Sequence, residues 1–426
     1  MELHFPLALA KQSAYIRRMS APPETSAAPG KPHFAEFVTL IASLMALGAL
    51  GIDSMLPALP IIGADLHVQV ENHLQWIVSI YFLGMGIGQL FFGVMSDWLG
   101  RKRVLIGGVL LFVVFGLIAA ATQNFAFLLV IRLLQGLAVA TTGVVTRSLI
   151  RDLYSGPQMA KVMSISFVVF LLVPILAPSL GQLVLTFLPW RAIFLIMAGL
   201  GLATAIWAWL RLPETLQPAD RRRPDLAHLK RVAYFVVTEP GSIFYAFAIT
   251  FLIGSLLAYV ALMPQIFKDV FHKPHLMAGV FAACAASMGV ASALNAFLVE
   301  RLGVKRISHT ALTAFIVVTA IHLAWALAGL ETIVSFLILQ SLTMGLMSLS
   351  TSNFSAVAME KVGHVAGTAA SLQGVITTVG AAIVSGLIGN GWTGHIYWLP
   401  LAALGCGIIA LSLVAISEKG KLYRNT

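Results

Sequence analysis

The feature that most constrains this chain is a short charged turn that occurs twice. GVMSDWLGRKR occupies residues 93–103 between two long apolar stretches, and AFLVERLGVKR repeats it at residues 296–306, which is 203 residues later. The second copy keeps the Leu-Gly and Lys-Arg pairs, and Glu300 replaces Asp97. A chain of 426 residues that repeats at about half its length is predicted to contain two copies of one unit. In membrane proteins, internal repeats of this kind are typical of transporters.

Composition places the chain in a membrane and excludes several other classes. Hydrophobic residues make up 59% of it and charged residues 10%, whereas a soluble chain carries roughly 25% charged residues. The net charge of +10 comes from residues in the gaps between apolar stretches. Because no basic patch is interleaved with aromatic residues, we expect no nucleic-acid partner. Cys284 and Cys406 both lie inside apolar stretches and are predicted to be reduced, packed thiols.

Twelve apolar stretches are each long enough to cross a bilayer as a helix, which needs about 20 residues. The predicted fold is therefore an all-α integral membrane protein of twelve transmembrane helices in two six-helix bundles, residues 35–211 and 241–416. The cytoplasmic linker between them is residues 212–240, which is the longest polar interval between spans. The predicted spans are 35–56, 73–95, 104–122, 125–146, 162–187, 191–211, 241–264, 276–298, 307–329, 332–355, 365–389 and 394–416.

The two ends of the chain are predicted to be tails. Residues 1–34 are polar and contain Pro and Ala, so we expect a disordered cytoplasmic tail. We hypothesise that translation begins at Met19, because nothing before it fits a fold. Residues 417–426 form the second tail, also expected in the cytoplasm.

The distribution of basic residues predicts the orientation. With the N-terminus in the cytoplasm, the tails and cytoplasmic loops hold 23 of the 27 Lys and Arg residues, and the opposite side holds three. Cytoplasmic loops of membrane proteins carry an excess of Lys and Arg. Both termini are therefore predicted to be cytoplasmic.

Two charged residues lie well inside predicted spans, Asp53 in the first and Arg132 in the fourth. A charge near the bilayer centre is costly, so such residues pair or line a watery cavity. The two lie at similar depth, which permits a pair. Asp53 is then either a carboxylate that takes up and releases protons, with a pKa set by burial and by a neighbouring cation, or half of a static pair that fixes helix packing.

Other candidates are weaker. His322 in the ninth span is a second candidate for proton chemistry, although a neutral histidine bonded to a neighbouring helix is the simpler interpretation. Aromatic and amide side chains predicted to face a substrate pocket are Tyr81, Phe251, Tyr259 and Gln340. Aromatic residues in spans more often serve packing.

Two further motifs bear on movement between the bundles. In the turn, Asp97 is followed by Gly100 and Arg101, and its carboxylate can bond a helix N-terminus or an arginine when the bundles close on the cytoplasmic side. In the fifth span, Pro174, Pro178 and Gly181 lie close together. Prolines kink a membrane helix and small residues allow close helix contact, which predicts either flexing or a fixed bend.

The residues described so far resemble the major facilitator superfamily, and further segments resemble its bicyclomycin/chloramphenicol resistance branch of drug:proton antiporters with twelve spans. These segments are GIDSMLPALP (51–60), RLLQGLAVATTGVVTRSLIRDLY (132–154), LAPSLGQ (176–182), WRAIF (190–194), LPETL (212–216) and GHVAGTAASLQG (363–374).

The resemblance implies roles for individual residues. Gly93, Asp97, Gly100 and Arg101 serve a cytoplasmic gate, Asp53 takes part in proton or substrate binding, and Arg132 is tied to proton coupling. Pro174, Pro178 and Gly181 fall on the antiporter motif of the fifth span. Two positions depart from the pattern: Met55 stands where an aromatic residue is common, and Gln182 stands where a second glycine usually follows Gly181.

We therefore expect a proton-coupled efflux pump for small amphipathic compounds, acting by alternating access in the bacterial inner membrane. The proton gradient is its expected energy source, without a cofactor or metal, and a monomer suffices because one chain contains both bundles. The alternative is a dedicated exporter of a metabolite such as a sugar, nucleoside or amino-acid derivative. A transporter-like sensor would carry a soluble signalling domain. An enzyme is not expected, because no loop contains a catalytic constellation.

Overall fold

The computed structural model describes residues 33–154, 156–217, 221, 226–362 and 366–423. The N-terminal tail through residue 32 and the Met19 start lie outside this range. Within it the chain forms helices joined by short connections, and no strand occurs. The helices are α1 Phe34–Asp53, α2 Leu59–Asp65, α3 Trp76–Leu99, α4 Arg101–Ala121, α5 Phe125–Leu153, α6 Gly156–Phe187, α7 Arg191–Arg211, α8 Leu226–Thr238, α9 Pro240–Gln265, α10 Met277–Leu302, α11 Val304–Leu327, α12 Ile333–Glu360, α13 Ala366–Asn390 and α14 Trp398–Ser417.

The helices agree with the predicted spans. Eleven segments of the described chain are long and apolar enough to cross a membrane. The fifth predicted span corresponds to α6, a helix of 32 residues that contains the apolar stretch Leu176–Phe187. The differences are at helix ends: α5 continues to Leu153 and α12 to Glu360, beyond the predicted ends at 146 and 355, and α6 begins at Gly156, before the predicted 162. Polar residues mark where the hydropathy falls, but a helix can continue past that point.

The first span is longer than predicted and is broken. Helix α1 ends at Asp53, a 3₁₀ turn covers Leu56–Ala58, and α2 continues from Leu59. Pro57 lies in the break and Pro60 in the first turn of α2, and proline has no backbone N–H to continue the hydrogen-bond ladder of a helix. The break therefore follows from the sequence, and it places Asp53 at a helix end.

The predicted linker at 212–240 is not wholly irregular, because α8 lies within it. Val236 of this helix is buried in a small apolar cluster with Val362 and Ala369. Helix α8 thus packs on the second half of the chain through Val236, although the interval as a whole was predicted to be polar.

Two groups of helices contact each other along two seams. Helices α1–α7 pack mainly among themselves, as do α9–α14, and the main contacts between the groups are α3 with α13 and α6 with α10. We call the groups the N-half and the C-half. The repeated turn is present in both: Gly100 joins α3 to α4 with φ 109°, and Gly303 joins α10 to α11 with φ 80°. A side chain is strained at such φ values, which accounts for glycine in both copies.

The two halves are bonded together at the predicted outer end. The amide of Asn72 donates to the Asn390 and Trp392 carbonyl oxygens at 3.3 and 2.9 Å, and Gln75 Nε2 donates to Gln265 Oε1 at 2.6 Å. Glu71 and Lys268 form an ion pair beside them. Apart from Gln89 with Thr378, every hydrogen bond that the structure describes between the halves lies at this end. We call this set the outer clamp.

Close contact between α1 and α6 depends on Gly181. A Cβ atom added at this position would overlap the backbone carbonyl of Ser54, at the break after α1. The antiporter-motif glycine therefore lets α6 lie directly against the segment that ends in Asp53. Pro178 is buried in the same helix.

We predict that Gly181→Ala destabilises the protein by about 1–3 kcal/mol, because the new methyl group overpacks this contact. The matched control is Gly199→Ala in α7, where an added Cβ meets nothing within 4 Å and helix propensity alone should stabilise by about 1 kcal/mol. Reaction of the buried thiols of Cys284 and Cys406 with a fluorogenic maleimide during heating gives the unfolding midpoint. Equal midpoints for the two variants would contradict this account.

Candidate functional site

A cavity of about 800 Å³ lies between the N-half and the C-half. It is closed at one end by the outer clamp and extends toward the predicted cytoplasmic end. Its walls come from α1, α3, α5 and α6 of the N-half and from α9, α10 and α12 of the C-half. Most lining side chains are aliphatic or aromatic, and methionine is prominent: Met45, Met85, Met163, Met288 and Met344.

Asp53 lines the deep end of the cavity. The break after α1 places it there, and its side chain is buried at 7% exposure. Among the residues that the structure describes, none forms an ion pair or side-chain hydrogen bond with it. The only side chain bonded within the break is that of Ser54, which donates to the Leu50 carbonyl at 2.5 Å. An acid without a fixed partner, facing a cavity at membrane depth, is free to exchange a proton with whatever fills that cavity.

Arg132 is fully buried and is bonded to three helices. Its Nη2 donates to the Gly51 carbonyl of α1 at 3.0 Å, and its Nη1 donates to Gln135 Oε1 at 2.7 Å. Its Nε donates to the Ile77 carbonyl of α3 at 3.4 Å, and its guanidinium carbon lies 4.1 Å from the centre of the Tyr81 ring. A guanidinium presents several donors in a fixed plane, which suits bonding to several acceptors at once.

The structure brings Asp53 and Arg132 to the same depth but does not pair them. Arg132 bonds Gly51, two residues before Asp53, as the similar depth predicted. Its donors are instead directed to carbonyl and amide oxygens and its face to an aromatic ring. The permitted ion pair is thus absent from this conformation. The physical reason is that neutral acceptors, which are available on every helix, already satisfy the guanidinium.

Tyr259 also lines the deep end of the cavity, as predicted for a pocket residue. Its ring stacks on that of Phe281 with centres 5.9 Å apart. Its buried hydroxyl lies beside the Cys284 thiol and makes no hydrogen bond of standard geometry to a described residue. The apolar cavity is thus lined by two hydroxyls without a described hydrogen-bond partner, those of Tyr259 and Ser166, and by a single described carboxylate, Asp53.

The other predicted pocket residues do not line this cavity. Tyr81 is buried beneath Arg132, and its hydroxyl donates to the Gly48 carbonyl at 3.3 Å. Gln340 is buried within the C-half, and Phe251 is half-buried on α9. Tyr81 does not line the cavity because its ring packs against the guanidinium of Arg132. The placements of Tyr81, Phe251 and Gln340 give them no contact with the cavity in this conformation.

His322 lies outside the cavity, in the outer part of the C-half. Its Nε2 is 3.5 Å from Glu331 Oε2, and both side chains are almost fully buried. The ring packs edge-on against Phe336, and Ser335 donates a hydrogen bond to Glu331. His322 is packed, but its Nε2 makes no hydrogen bond of standard geometry to a described residue, so the hydrogen bond of the simpler interpretation is not made here.

Arg147 is a cavity residue that sequence reasoning missed. It lies on the part of α5 beyond the predicted end of the fourth span, and its side chain lines the cavity. Its neighbours on the lining face are Gly143, Val144 and Ile150, which follow helical spacing. Arg147 falls outside the predicted fourth span because hydropathy drops there. A single basic residue followed by a helical apolar pattern was the available signal.

The gate residues form a network within the N-half. Arg101 is buried and bonds three side chains: it pairs with Asp97, donates to Ser96 Oγ at 2.7 Å, and lies 3.3 Å from Asp152 Oδ2. Asp97 remains half exposed on its other side, and none of its described bonds reaches the C-half. Gly93 packs on Val144 of α5. In this conformation the predicted contact of Asp97 with the opposite bundle is not made.

Glu214 of the LPETL segment completes this network. Its Oε1 accepts from the backbone N–H of Arg101 at 2.8 Å, at the N-terminus of α4. A carboxylate at a helix N-terminus is favourable because the free N–H groups carry partial positive charge. In the C-half, Glu418 follows α14 as Glu214 follows α7, and it bonds Lys305 at 3.2 Å and the Tyr245 hydroxyl at 2.9 Å. Each half therefore ties its turn to an acid after its sixth span.

Comparison with known proteins agrees with this architecture. The chain matches the family model of the Major Facilitator Superfamily over residues 41–385. It is 30% identical to an uncharacterized MFS-type transporter, YdgK, of Bacillus subtilis (strain 168), over 82% of this chain and 87% of that protein. It is 29% identical to a bicyclomycin resistance protein homolog of Haemophilus influenzae, over 83% of this chain and 89% of that protein. The solved structure of a nucleoside transporter, NupG, is 15% identical, covers 90% of this chain and 100% of its own, and superimposes with a TM-score of 0.69.

We predict that Arg132→Lys lowers stability by about 1.5–3 kcal/mol, because a lysine keeps the charge but cannot bond Gly51, Gln135 and Ile77 together. Arg147→Lys on the same helix is the matched control, since Arg147 makes no bond to a described residue. Thermal unfolding of both variants in detergent checks this. If the Arg132 variant unfolds at the temperature of the control, the three-helix bonding of Arg132 contributes no stability.

Proposed function

The chain belongs to the major facilitator superfamily, in its bicyclomycin/chloramphenicol resistance branch, and is a multi-pass membrane transporter rather than an enzyme; from this premise we propose that it exports small amphipathic compounds in exchange for protons. The observation that carries the proposal is the cavity between the halves, with apolar walls and one unpaired carboxylate, Asp53, at its deep end. We place the protein in the bacterial inner membrane with both termini in the cytoplasm.

The walls suit compounds of varied shape. Met45, Met85, Met163, Met288 and Met344 surround the space, and methionine is flexible and polarisable enough to fit irregular apolar surfaces. Few polar groups fix the orientation of a ligand, as expected of a pocket that binds by burial of apolar area. The similarity to a bicyclomycin resistance protein homolog supports an antibiotic among the exported compounds.

Alternating access assigns the steps as follows. With the predicted topology, the outer clamp closes the outside and the cavity faces the cytoplasm, where Asp53 releases its proton and a compound binds. Breaking the outer clamp and closing the gate at Asp97 and Arg101 exposes the cavity outward. There Asp53 takes a proton from the medium and the compound leaves. The proton gradient drives the cycle because protonation favours the return to the inward-facing state.

Proton flux in liposomes tests this mechanism. Purified protein is reconstituted with a pH-sensitive dye inside, and a panel of amphipathic antibiotics and dyes is added. We expect compound-dependent proton flux from the wild type and none from Asp53→Asn, because the amide does not titrate. Asp65→Asn is the matched control, since Asp65 lies on α2 outside the cavity and bonds Arg191 and Trp190.

Two results would contradict parts of the proposal. Flux that persists in Asp53→Asn moves proton coupling to another group, with the His322–Glu331 pair as the next candidate. Absence of flux with every compound, in protein that unfolds cooperatively, contradicts drug export and favours a dedicated metabolite exporter.

A further inference from the structure

Arg147 differs from three basic residues near the predicted cytoplasmic end of the molecule, Arg101, Lys305 and Lys361. Arg101 pairs with Asp97 and Asp152, Lys305 with Glu418, and Lys361 with Glu239. Arg147, by contrast, lines the cavity without an ion pair or hydrogen bond to any residue that the structure describes. The guanidinium therefore faces a largely apolar space with its charge and its five N–H donors unmatched by protein.

Arg147 is exposed to the cavity, so a ligand there can reach its guanidinium. The partner that a guanidinium fits best is a planar or tetrahedral oxyanion, because two parallel N–H groups can bond two oxygens. Arg132, the arginine inside the predicted fourth span, is not available for this role, since Gly51, Gln135 and Ile77 already occupy its donors. The cavity therefore contains one cation that a ligand can reach.

We propose that Arg147 binds the acidic group of the exported compound, so that the preferred substrates are amphipathic organic anions, such as carboxylates. This rests on the proposed function, because it names the substrate class of the same cavity. The anionic group lies at Arg147, and the apolar body extends along Met85, Met163 and Met288 toward the deep end.

The distance between the two charged sites makes this arrangement compatible with proton exchange. Arg132 and Arg147 are 15 residues apart on α5, which corresponds to about 22 Å along the helix axis. Because Arg132 bonds Gly51 next to Asp53, the carboxylate lies near the far end of that distance. An anion at Arg147 and an ionised Asp53 thus repel each other only weakly. Both can be present in the inward-facing state.

The test uses three probes that share one aromatic body: 1-naphthaleneacetate, its methyl ester and 1-(1-naphthyl)ethylamine. Each is titrated calorimetrically into purified wild type, Arg147→Gln and Arg147→Lys. We expect the wild type to bind the anion about tenfold more tightly than the ester, the Gln variant to lose this preference, and the Lys variant to keep part of it. Unchanged ester affinity in all three proteins shows that the cavity is intact.

Three outcomes would overturn the proposal. The first is a wild type that binds the ester as tightly as the anion. The second is an Arg147→Gln variant that keeps the wild-type preference while its transport of all probes slows equally, which would assign Arg147 to closure of the cavity against an acid of the other half. The third is loss of the preference when phosphatidylglycerol is added, which would identify a lipid headgroup as the occupant.

The titrations need no proton gradient, so they separate anion recognition from proton coupling. If the protein keeps the Arg147-dependent preference for the anion but exchanges no protons, the result supports the anion site. It then contradicts only the proposed proton antiport.

Discussion

The burial of a guanidinium among three helices is the interaction on which the arrangement of the N-half depends. Arg132 bonds the end of α1, the start of α3 and its own helix, and it covers the ring of Tyr81. A cation at this depth must be satisfied, and here carbonyl oxygens, an amide and an aromatic face do so without any carboxylate. Consequently Asp53 remains unpaired beside the cavity. Because Arg132 bonds other acceptors, the Asp53 carboxylate is left without an ion-pair partner.

The elements that could be predicted are those that depend on apolar length or on the type of a single residue. Apolar length identified the spans, and the repeated Gly in the turns, Gly100 and Gly303, required φ values that glycine tolerates. The break after α1 was not predicted, although Pro57 lies within it. In the site, Asp53 and Tyr259 were named as candidates and both line the cavity. Each of these features is decided by the residue itself or by its immediate neighbours.

The features that were not predicted depend on backbone atoms and tertiary contacts, which the residue types do not specify. The acceptors of Arg132 are mainly backbone carbonyls, which every residue has, so an ion pair with Asp53 was the only pairing that residue types could suggest. Arg147 lies outside the predicted fourth span because hydropathy marks the membrane boundary and not the helix end. Helix α8 was not predicted because its packing on α9 and α13, which includes the burial of Val236, is not visible in the composition of the segment. Tertiary contacts decided all three.

The chemistry of the outer clamp has a consequence for how closure of the outer end responds to pH. The bonds of Asn72 and Gln75 to the C-half are made by carboxamides and carbonyls, which neither gain nor lose protons over the range in which cells maintain a gradient. Glu71 and Lys268 add an exposed ion pair, which is weak in salt. The strength of this closure is therefore nearly the same in acidic and neutral surroundings. In the proposed mechanism, protons are therefore bound by groups outside the outer clamp, and proton binding and closure of the outer end are carried out by different residues.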